Sequence, residues 1–341
     1  MRPIAINGHE RPITKVKFNK DGDLLFTSAK NPVANVWFAD DGERLGCFGH
    51  VKKGDNDPHN SFGHTGAIFD IDVSDDSEKF ITASADELCI LWDCTNGKII
   101  SKIKAGNVLR SCGFSECGNL IFYTTFPSIV KSSFLRVIDT RVKSHIEGND
   151  NVSSFNSDLE TKGTICKAEF GPFDKHIFVG TEFGYVDCVE TLTGNLVKST
   201  RPHSKNITDI QMFKDKSMFI TSSKDHAAKL IGSFDVDEFI TYTTERPVNS
   251  ASISPYQKHV ILAGGQEAED VTTSASSGKF DSRLYHMVFG EEFGNIKGHF
   301  GPVNSVQFNP QGTGFVSGGE DGYVRIHIFD PDYYDLDNRI F

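Results

Sequence analysis

The chain has 341 residues with 38% hydrophobic and 11% aromatic content, which is enough for a sizeable core and excludes a disordered chain. Its formal charge of −11 disfavours direct contact with nucleic acid or with an anionic membrane surface. The seven cysteines form no CxxC pair and no apolar run approaches the roughly 20 residues of a membrane span, so we expect reduced thiols and a cytoplasmic location.

A histidine-led spacing repeats along the chain. His64 is followed by Thr82, Asp86 and Trp92 at distances of 18, 22 and 28 residues. Several copies that share one spacing, with matching residue types at each step, are the signature of a repeat architecture. Three further copies of this spacing begin at His9, His203 and His299.

Each copy contains short alternating runs that are bounded by Asn, Asp, Gly and Pro, a pattern typical of β-hairpins. In the first copy, strands are predicted at Ile13–Phe18, Leu24–Thr27, Ala34–Phe38 and Glu43–Phe48. In the last copy they are predicted at Val303–Phe308, Gly314–Ser317 and Tyr323–Phe329. Weaker copies are predicted around the runs Val108–Phe114, Leu120–Thr124 and Leu135–Asp139, then Ile165–Phe170, His176–Gly180 and Tyr185–Glu190, then Val248–Ser254, His259–Ala263 and Arg283–Val288.

Seven copies of about 40–50 residues, each with four strands, predict an all-β fold, a seven-bladed WD40 β-propeller with four-stranded antiparallel blades. The whole chain, residues 1–341, forms one domain, with blades starting near residues 9, 64, 106, 162, 203, 246 and 299. The segment Arg2–Asn7 has no hairpin partner, and the last copy lacks a fourth strand after Phe329. We therefore expect the N-terminal strand to join the last blade and close the ring.

The repeated polar residues could be mistaken for a catalytic group. We interpret His64, Thr82, Asp86 and Trp92 as a structural tetrad that forms a hydrogen-bonded chain within one blade. A unit that recurs in several blades, with Asn31 replacing the aspartate in the first copy, fits a scaffold better than an active site.

The sequence predicts no cofactor, no metal site and no enzymatic activity, because it lacks a phosphate-binding loop and an HExxH arrangement. A propeller hydrolase or metal enzyme would need carboxylates or histidines on the inner strands of several blades, and we expect no such cluster. The four acidic residues near the C-terminus predict a solvated tail. They are Asp330, Asp332, Asp335 and Asp337.

Two polar insertions interrupt the repeats. Gln266–Gly278 is too long for a tight turn, and long loops in compact domains are often functional, so it is the best local candidate for partner contact. An ordinary surface loop remains the alternative. Val51–Ser61 is a second insertion, interpreted as a surface loop specific to this chain.

Several longer strings resemble a known family, subunit i of eukaryotic translation initiation factor 3. The resemblance spans the chain, although blades three and four match poorly and Val51–Ser61 departs from the family pattern. The matching strings are Gly8–Thr14 (GHERPIT), Gly264–Ala268 (GGQEA), Asp270–Thr273 (DVTT), Gly298–Asn304 (GHFGPVN) and Ser317–Gly322 (SGGEDG).

The resemblance implies a non-catalytic scaffold subunit that supports preinitiation-complex assembly, mRNA recruitment and scanning on the small ribosomal subunit. Its implied partners are the C-terminal helical segment of subunit b, and subunit g. An acidic rim on blades five and six would suit a basic amphipathic helix. An adaptor in receptor-kinase signalling or ubiquitin-ligase substrate recruitment remains an alternative. The implied partner-binding residues are Lys224, Asp225, Gln266, Glu267 and Asp270.

Overall fold

The computed structural model describes residues 3–49, 63–128, 132–148, 150–265 and 280–336. Over these residues, seven four-stranded antiparallel sheets follow one another around a ring, so the predicted seven-bladed propeller is confirmed. Within the same part of the chain, no helix has the length and apolar character needed to cross a membrane. The insertions Val51–Ser61 and Gln266–Gly278 lie outside the described residues.

The strands follow the predicted order with small shifts at their ends. The N-terminal strand is β1 (Ile4–Asn7), and blade 1 contains β2 (Ile13–Phe18), β3 (Leu24–Ala29), β4 (Ala34–Phe38) and β5 (Arg44–Phe48). Blade 2 contains β6 (Ile68–Val73), β7 (Lys79–Ser84), β8 (Leu88–Asp93) and β9 (Ile99–Lys104). Blade 3 contains β10 (Leu109–Phe114), β11 (Leu120–Thr125), β12 (Phe134–Asp139) and β13 (Ser153–Asn156), with the short helix α1 (Lys143–Ile146) before β13.

The second half of the ring repeats this plan. Blade 4 contains β14 (Ile165–Phe170), β15 (His176–Thr181), β16 (Val186–Glu190) and β17 (Leu196–Thr200), with a 3₁₀ turn at Pro172–Asp174. Blade 5 contains β18 (Ile207–Met212), β19 (Met218–Ser223), β20 (Ala227–Gly232) and β21 (Glu238–Thr243). Blade 6 contains β22 (Val248–Ile253), β23 (His259–Gly264), β24 (Asp281–His286) and β25 (Glu292–Lys297). Blade 7 contains β26 (Val303–Phe308), β27 (Gly314–Gly319) and β28 (Tyr323–Ile328).

The ring closes as the sequence predicts. Strand β1 pairs antiparallel with β28, and Ile6 lies opposite Val324. Ile6 is buried and packs in one apolar cluster with Trp37 of blade 1 and Val316 of blade 7. The N-terminal strand therefore completes the last blade and joins both ends of the chain in one core.

The core lies between neighbouring blades. One cluster, for example, joins Ile81 and Leu91 of blade 2 to Leu109 and Ile121 of blade 3. Each blade thus buries both faces, which explains why near-continuous apolar runs alternate with turns in the sequence. All seven cysteines are free thiols, and four of them are buried.

A β-bulge follows the first residue of the innermost strand in each of the seven blades, for example between Ile13 and Lys15. The extra residue turns its side chain toward the next blade. Thr14 donates a hydrogen bond to Ile68 O at 2.8 Å, and Asn304 donates one to Ile13 O at 2.9 Å. Repeated around the ring, such bonds tie the inner strands of successive blades together.

The C-terminal segment is only partly solvated, whereas the sequence predicted a solvated tail. A 3₁₀ turn at Pro331–Asp335 follows β28, and its Tyr333 side chain is buried. The neighbouring Asp330, Asp332 and Asp335 are exposed, and Asp337 lies outside the described residues. The acidic residues thus fit the prediction, whereas the tyrosine between them anchors the segment.

Candidate protein-binding surfaces

The tetrad of blade 2 forms one hydrogen-bonded chain. His64 Nδ1 lies 3.0 Å from Asp86 Oδ2, and His64 Nε2 lies 2.6 Å from Thr82 Oγ1. Trp92 Nε1 donates to the same Thr82 Oγ1 at 2.9 Å. Burial opposes the charge of Asp86, but the hydrogen bonds from His64 and from backbone N–H groups outweigh it and lower its pKa to about 2. The folded blade therefore stabilises the charged form of the Asp86 carboxylate.

The same unit recurs in other blades. His203 bonds Thr221 and Asp225 in blade 5, and His299 bonds Ser317 and Asp321 in blade 7. In blade 1, His9 Nε2 lies 2.8 Å from Thr27 Oγ1, and Asn31 stands where the other blades have aspartate. Burial and the nearby Arg44 lower the pKa of His9 to about 4, so this copy is held together without an ion pair.

The predicted partner-binding residues fall in two groups. Gln266, Glu267 and Asp270 lie outside the described residues. Lys224 and Asp225 lie together in the turn between β19 and β20, with Lys224 half-buried. The structure therefore brings two of the five residues together.

Asp225 is occupied within its own blade. Its Oδ2 accepts the Ser204 N–H at 3.0 Å, its Oδ1 accepts the Ala227 N–H at 3.2 Å, and both oxygens lie within 3.2 Å of His203 Nδ1. The side chain is only 11% exposed. These contacts make Asp225 the residue that holds the turn on which Lys224 is presented.

The inner strands carry a charged cluster that the sequence analysis missed. We expected no carboxylate cluster on the inner strands, and that expectation was wrong. Charged residues stand at alternate positions in the runs KVK, DID and KAE, and Asp209 begins the run DIQ; this period-2 spacing places the side chains on one face of each strand and could have revealed the cluster. The side chains are Lys15, Lys17, Asp70, Asp72, Lys167, Glu169 and Asp209.

Two ion pairs cross the channel between blades that are not neighbours. Lys15 of blade 1 lies 2.9 Å from Asp209 of blade 5, and Lys167 of blade 4 lies 2.5 Å from Asp70 of blade 2. Lys15 and Lys167 line both a cavity of about 420 Å³ at one mouth and one of about 310 Å³ at the other. The ion pairs therefore form a layer between the two cavities.

The channel carboxylates also bond the backbone of the next blade. Asp70 accepts the Cys112 N–H at 3.0 Å, and Asp72 accepts the Phe114 N–H at 2.8 Å. Serines do the same elsewhere, as when Ser252 Oγ accepts the Phe308 N–H at 3.1 Å. These groups satisfy N–H groups on the inner edges of blades 3 and 7, which is a structural use of the carboxylates of blade 2. Among the described residues, no group of three or more His, Cys, Asp or Glu side chains has an arrangement that could hold a metal ion.

The most unusual surface lies on the outer edge of blades 4 to 6. There, seven large apolar side chains are between 46% and 71% exposed. We call them the apolar belt. They are Leu192, Leu196, Val197, Phe234, Phe239, Val288 and Phe289.

Contacts between blades bring the parts of the apolar belt next to one another. Lys198, next to Val197, donates to Asp235 O and lies 3.2 Å from Asp237 in the blade-5 turn. Tyr242 of β21 donates to Met287 O at 2.7 Å, in the blade-6 turn that carries Val288. Each outer strand thus meets the turn of the following blade.

The tips of these turns depart from the rest of the ring. In five blades, the turn before the outer strand is closed by the same N–H···O bond, for example from Gly97 to Asp93 O and from Gly194 to Glu190 O. The two residues at the tip are Asp40-Asp41 in blade 1 and Thr95-Asn96 in blade 2. At the same positions, blades 4, 5 and 6 have Leu192-Thr193, Phe234-Asp235 and Val288-Phe289.

An apolar residue at a solvated turn tip contributes little to folding, whereas it is typical of a binding surface. The geometry therefore defines a WD-repeat propeller with structural tetrads, an ion-paired channel and a solvent-exposed apolar edge on blades 4 to 6.

Comparison with known proteins identifies the particular family. The EIF3I family model matches residues 1–338. The eukaryotic translation initiation factor 3 subunit I of Xenopus tropicalis is 45% identical over 338 residues, which cover 99% of both chains. Those of Rattus norvegicus and Homo sapiens are 44% identical over the same shares. The chain belongs to the family of eukaryotic translation initiation factor 3 subunit I, and the resemblance predicted from its sequence is confirmed.

Proposed function

We propose that this chain is a non-catalytic scaffold of the initiation factor 3 complex, and that it holds other subunits through the apolar belt. The belt is the observation that carries the proposal, because it concentrates exposed apolar side chains on three consecutive blades. Fully burying one large apolar side chain contributes roughly 1.5–3 kcal/mol, and these side chains are already partly covered, so several of them must be buried together to offset the cost of association.

The charge around the belt selects the kind of partner. The ranges 190–200, 232–243 and 286–297 contain six Asp and Glu residues and two Lys residues. An apolar strip with acidic margins suits an amphipathic helix with Lys or Arg beside its apolar face. We propose the C-terminal helical segment of subunit b as this helix, with subunit g held in the same module.

The rim predicted from the sequence remains proposed as a further contact. Lys224, Gln266, Glu267 and Asp270 would touch the partner there, and Asp225 would position the turn through its bonds to His203 and Ser204. The rim lies on blades 5 and 6, which also carry part of the belt.

The scaffold role extends to the complex as a whole. In it, the chain would support preinitiation-complex assembly, mRNA recruitment and scanning in the cytoplasm, and would reach the small ribosomal subunit through its partner subunits. The proposal includes no cofactor, no membrane contact and no direct nucleic-acid contact, in keeping with the charge of −11. Repeated tetrads and channel carboxylates bonded to backbone N–H groups favour a scaffold over a hydrolase.

Affinity purification from cells tests the proposal. The tagged chain should co-purify with subunits b and g, whereas a Phe234→Ser/Phe239→Ser variant should retain them at least about tenfold less. Phe173→Ser/Phe300→Ser is the matched control, because both phenylalanines are more than 80% exposed and lie outside the belt. If the tagged, unmodified chain co-purifies with no initiation-factor subunit, the proposal is overturned in favour of a signalling or ubiquitin-ligase adaptor.

A peptide assay tests the chemistry of the partner directly. The probe is a labelled helix of about 20 residues, roughly 30 Å long, with Leu on one face and Lys on the other. Fluorescence anisotropy should show binding that the belt variant loses and the control keeps, and a Leu/Glu version should bind more weakly. Equal binding of both peptides would contradict the charge argument.

A separate variant tests the rim. Glu267→Lys should reduce the retention of subunit b without changing the melting temperature. Asp225→Lys should lower the melting temperature as well, because it breaks the tetrad of blade 5. Unchanged retention in the Glu267→Lys variant would remove the rim from the proposal.

A further inference from the structure

The C-terminal segment Asp330–Leu336 lies against blades 6 and 7, and Tyr333 is its one buried side chain; the exposed Tyr334 also donates a hydrogen bond to Gly312 O at 3.4 Å. The Tyr333 ring stacks on Phe329 with centroids 3.7 Å apart and an angle of 5°. The Tyr333 hydroxyl lies 2.7 Å from His259 Nδ1. Its neighbours Pro331, Asp332 and Tyr334 are exposed. We call this segment the strap.

A chain of contacts leads from the strap to the apolar belt. His259 of β23 lies opposite His286 of β24, with ring centroids 6.2 Å apart. His286 Nδ1 accepts the N–H groups of Val288 and Phe289, each at 3.2 Å. The ring of Phe289 stacks on that of His286 at 4.6 Å. The belt residues of blade 6 are thus oriented by His286.

The side chains around this path are mostly apolar or aromatic. Phe293 of β25 lies 4.5 Å from the His259 ring, and Leu336 packs against the same cluster. Since His286 Nδ1 accepts two N–H groups, its proton is on Nε2. The path therefore consists of packed rings and hydrogen bonds, and two histidine rings lie between Tyr333 and the blade-6 turn.

We propose that the strap positions the blade-6 end of the apolar belt, so that docking of Tyr333 on His259 keeps Val288 and Phe289 in the orientation that receives a partner helix. The strap then links the C-terminus to the binding surface, and its release weakens that surface. The inference about binding rests on the proposed function of the belt, whereas the inference about the turn does not.

Three variants separate the elements of this device. Tyr333→Ala removes the ring and the hydroxyl, and Tyr333→Phe keeps the stacking on Phe329 but removes the hydrogen bond to His259. Tyr334→Ala is the matched control, because it removes the adjacent, exposed tyrosine, with its 3.4 Å hydrogen bond to Gly312 O and its edge contact with the Tyr333 ring, but leaves the hydrogen bond between Tyr333 and His259 in place. Melting temperatures establish that each variant is folded.

Hydrogen exchange of the free chain is the first measurement. In Tyr333→Ala, the amides of Val288 and Phe289 should exchange about tenfold faster, since local opening no longer has to break the docked strap. Tyr333→Phe should show a smaller increase, and Tyr334→Ala none. A folded Tyr333→Ala variant with unchanged exchange at these two amides would overturn the proposal.

Binding of the Leu/Lys peptide is the second measurement. Tyr333→Ala should weaken it about threefold to tenfold, and Tyr334→Ala should leave it unchanged. Faster exchange without weaker peptide binding would refute the coupling to the belt. Failure of the peptide to bind the unmodified chain would instead refute the proposed function, and the exchange result would still decide whether the strap holds the turn.

Discussion

The ion pair between Lys15 and Asp209 offers a quantitative test of how the channel stabilises the ring. The Lys15 Nζ lies 2.9 Å from Asp209 Oδ1, and the two side chains are 10% and 6% exposed. Lys15→Met leaves Asp209 charged in a site screened from water. Breaking a buried pair in this way costs about 3–5 kcal/mol, and we expect a loss of that size in the free energy of unfolding.

An exposed pair of similar length provides the control. Lys20 lies 2.7 Å from Asp75, but these side chains are 62% and 41% exposed. Lys20→Met should therefore change the free energy of unfolding by only about 0–1 kcal/mol, because water screens the charge that remains. The same substitution at a similar distance isolates the effect of burial.

Urea unfolding followed by circular dichroism measures both variants, and Lys15→Met/Asp209→Leu completes the test. The double variant should recover most of the lost stability, since it leaves no unpaired charge. Equal losses in Lys15→Met and Lys20→Met would refute the role assigned to burial. With Asp209→Leu measured as the other single variant, a loss in the double variant equal to the sum of the losses in Lys15→Met and Asp209→Leu would refute the pairing.

Three further outcomes follow from the fold. The pKa of Asp86 falls from 3.8 to about 2 on folding, so its carboxylate stabilises the chain above pH 4, and this contribution disappears as the pH falls toward 2. Between pH 5 and pH 2, the melting temperature of the Asp86→Asn variant should therefore change less than that of the unmodified chain. An identical pH profile in the two proteins would contradict the assignment. Ile6→Ala should cost about 2–5 kcal/mol in thermal unfolding, since Ile6 is buried where the ring closes, and a smaller loss would mean that the closure contributes little. Gly184→Ala should destabilise the chain more than Gly97→Ala in the same assay. Both residues have positive φ, but a Cβ at Gly184 would lie 2.2 Å from His203 O, whereas a Cβ at Gly97 would meet nothing within 4 Å. Equal losses of stability would mean that the backbone conformation alone is the cause.

The blades could be predicted because their signals are local. The inner strand Val303–Phe308 has four buried residues out of six and is followed by the turn Asn-Pro-Gln-Gly, so the sequence marks both the apolar run and its end. The outer strands are harder to recognise. Strand β17, Leu196–Thr200, has no buried residue, and a strand without a buried face shows no alternation.

The candidate site was predictable only in part. The spacing from His64 to Asp86 indicated a structural unit, because the residues belong to one hairpin pair and recur in other blades. The channel cluster was missed, although its charges alternate within the inner strands of blades 1, 2 and 4, because no single strand contains both partners of an ion pair. The apolar belt was missed because Leu192, Phe234 and Val288 resemble ordinary hydrophobic residues until their exposure is known.

The sequence alone determined that seven hairpin repeats form blades and that the histidine-led tetrads hold them, since these interactions lie within about one repeat of the chain. Only the tertiary structure decided which blades face each other across the channel, where Lys15 and Asp209 meet although 194 residues separate them. It also decided that the apolar turn tips of blades 4 to 6 lie side by side on one edge. Both arrangements depend on the closure of the ring, which brings together residues that no local pattern connects.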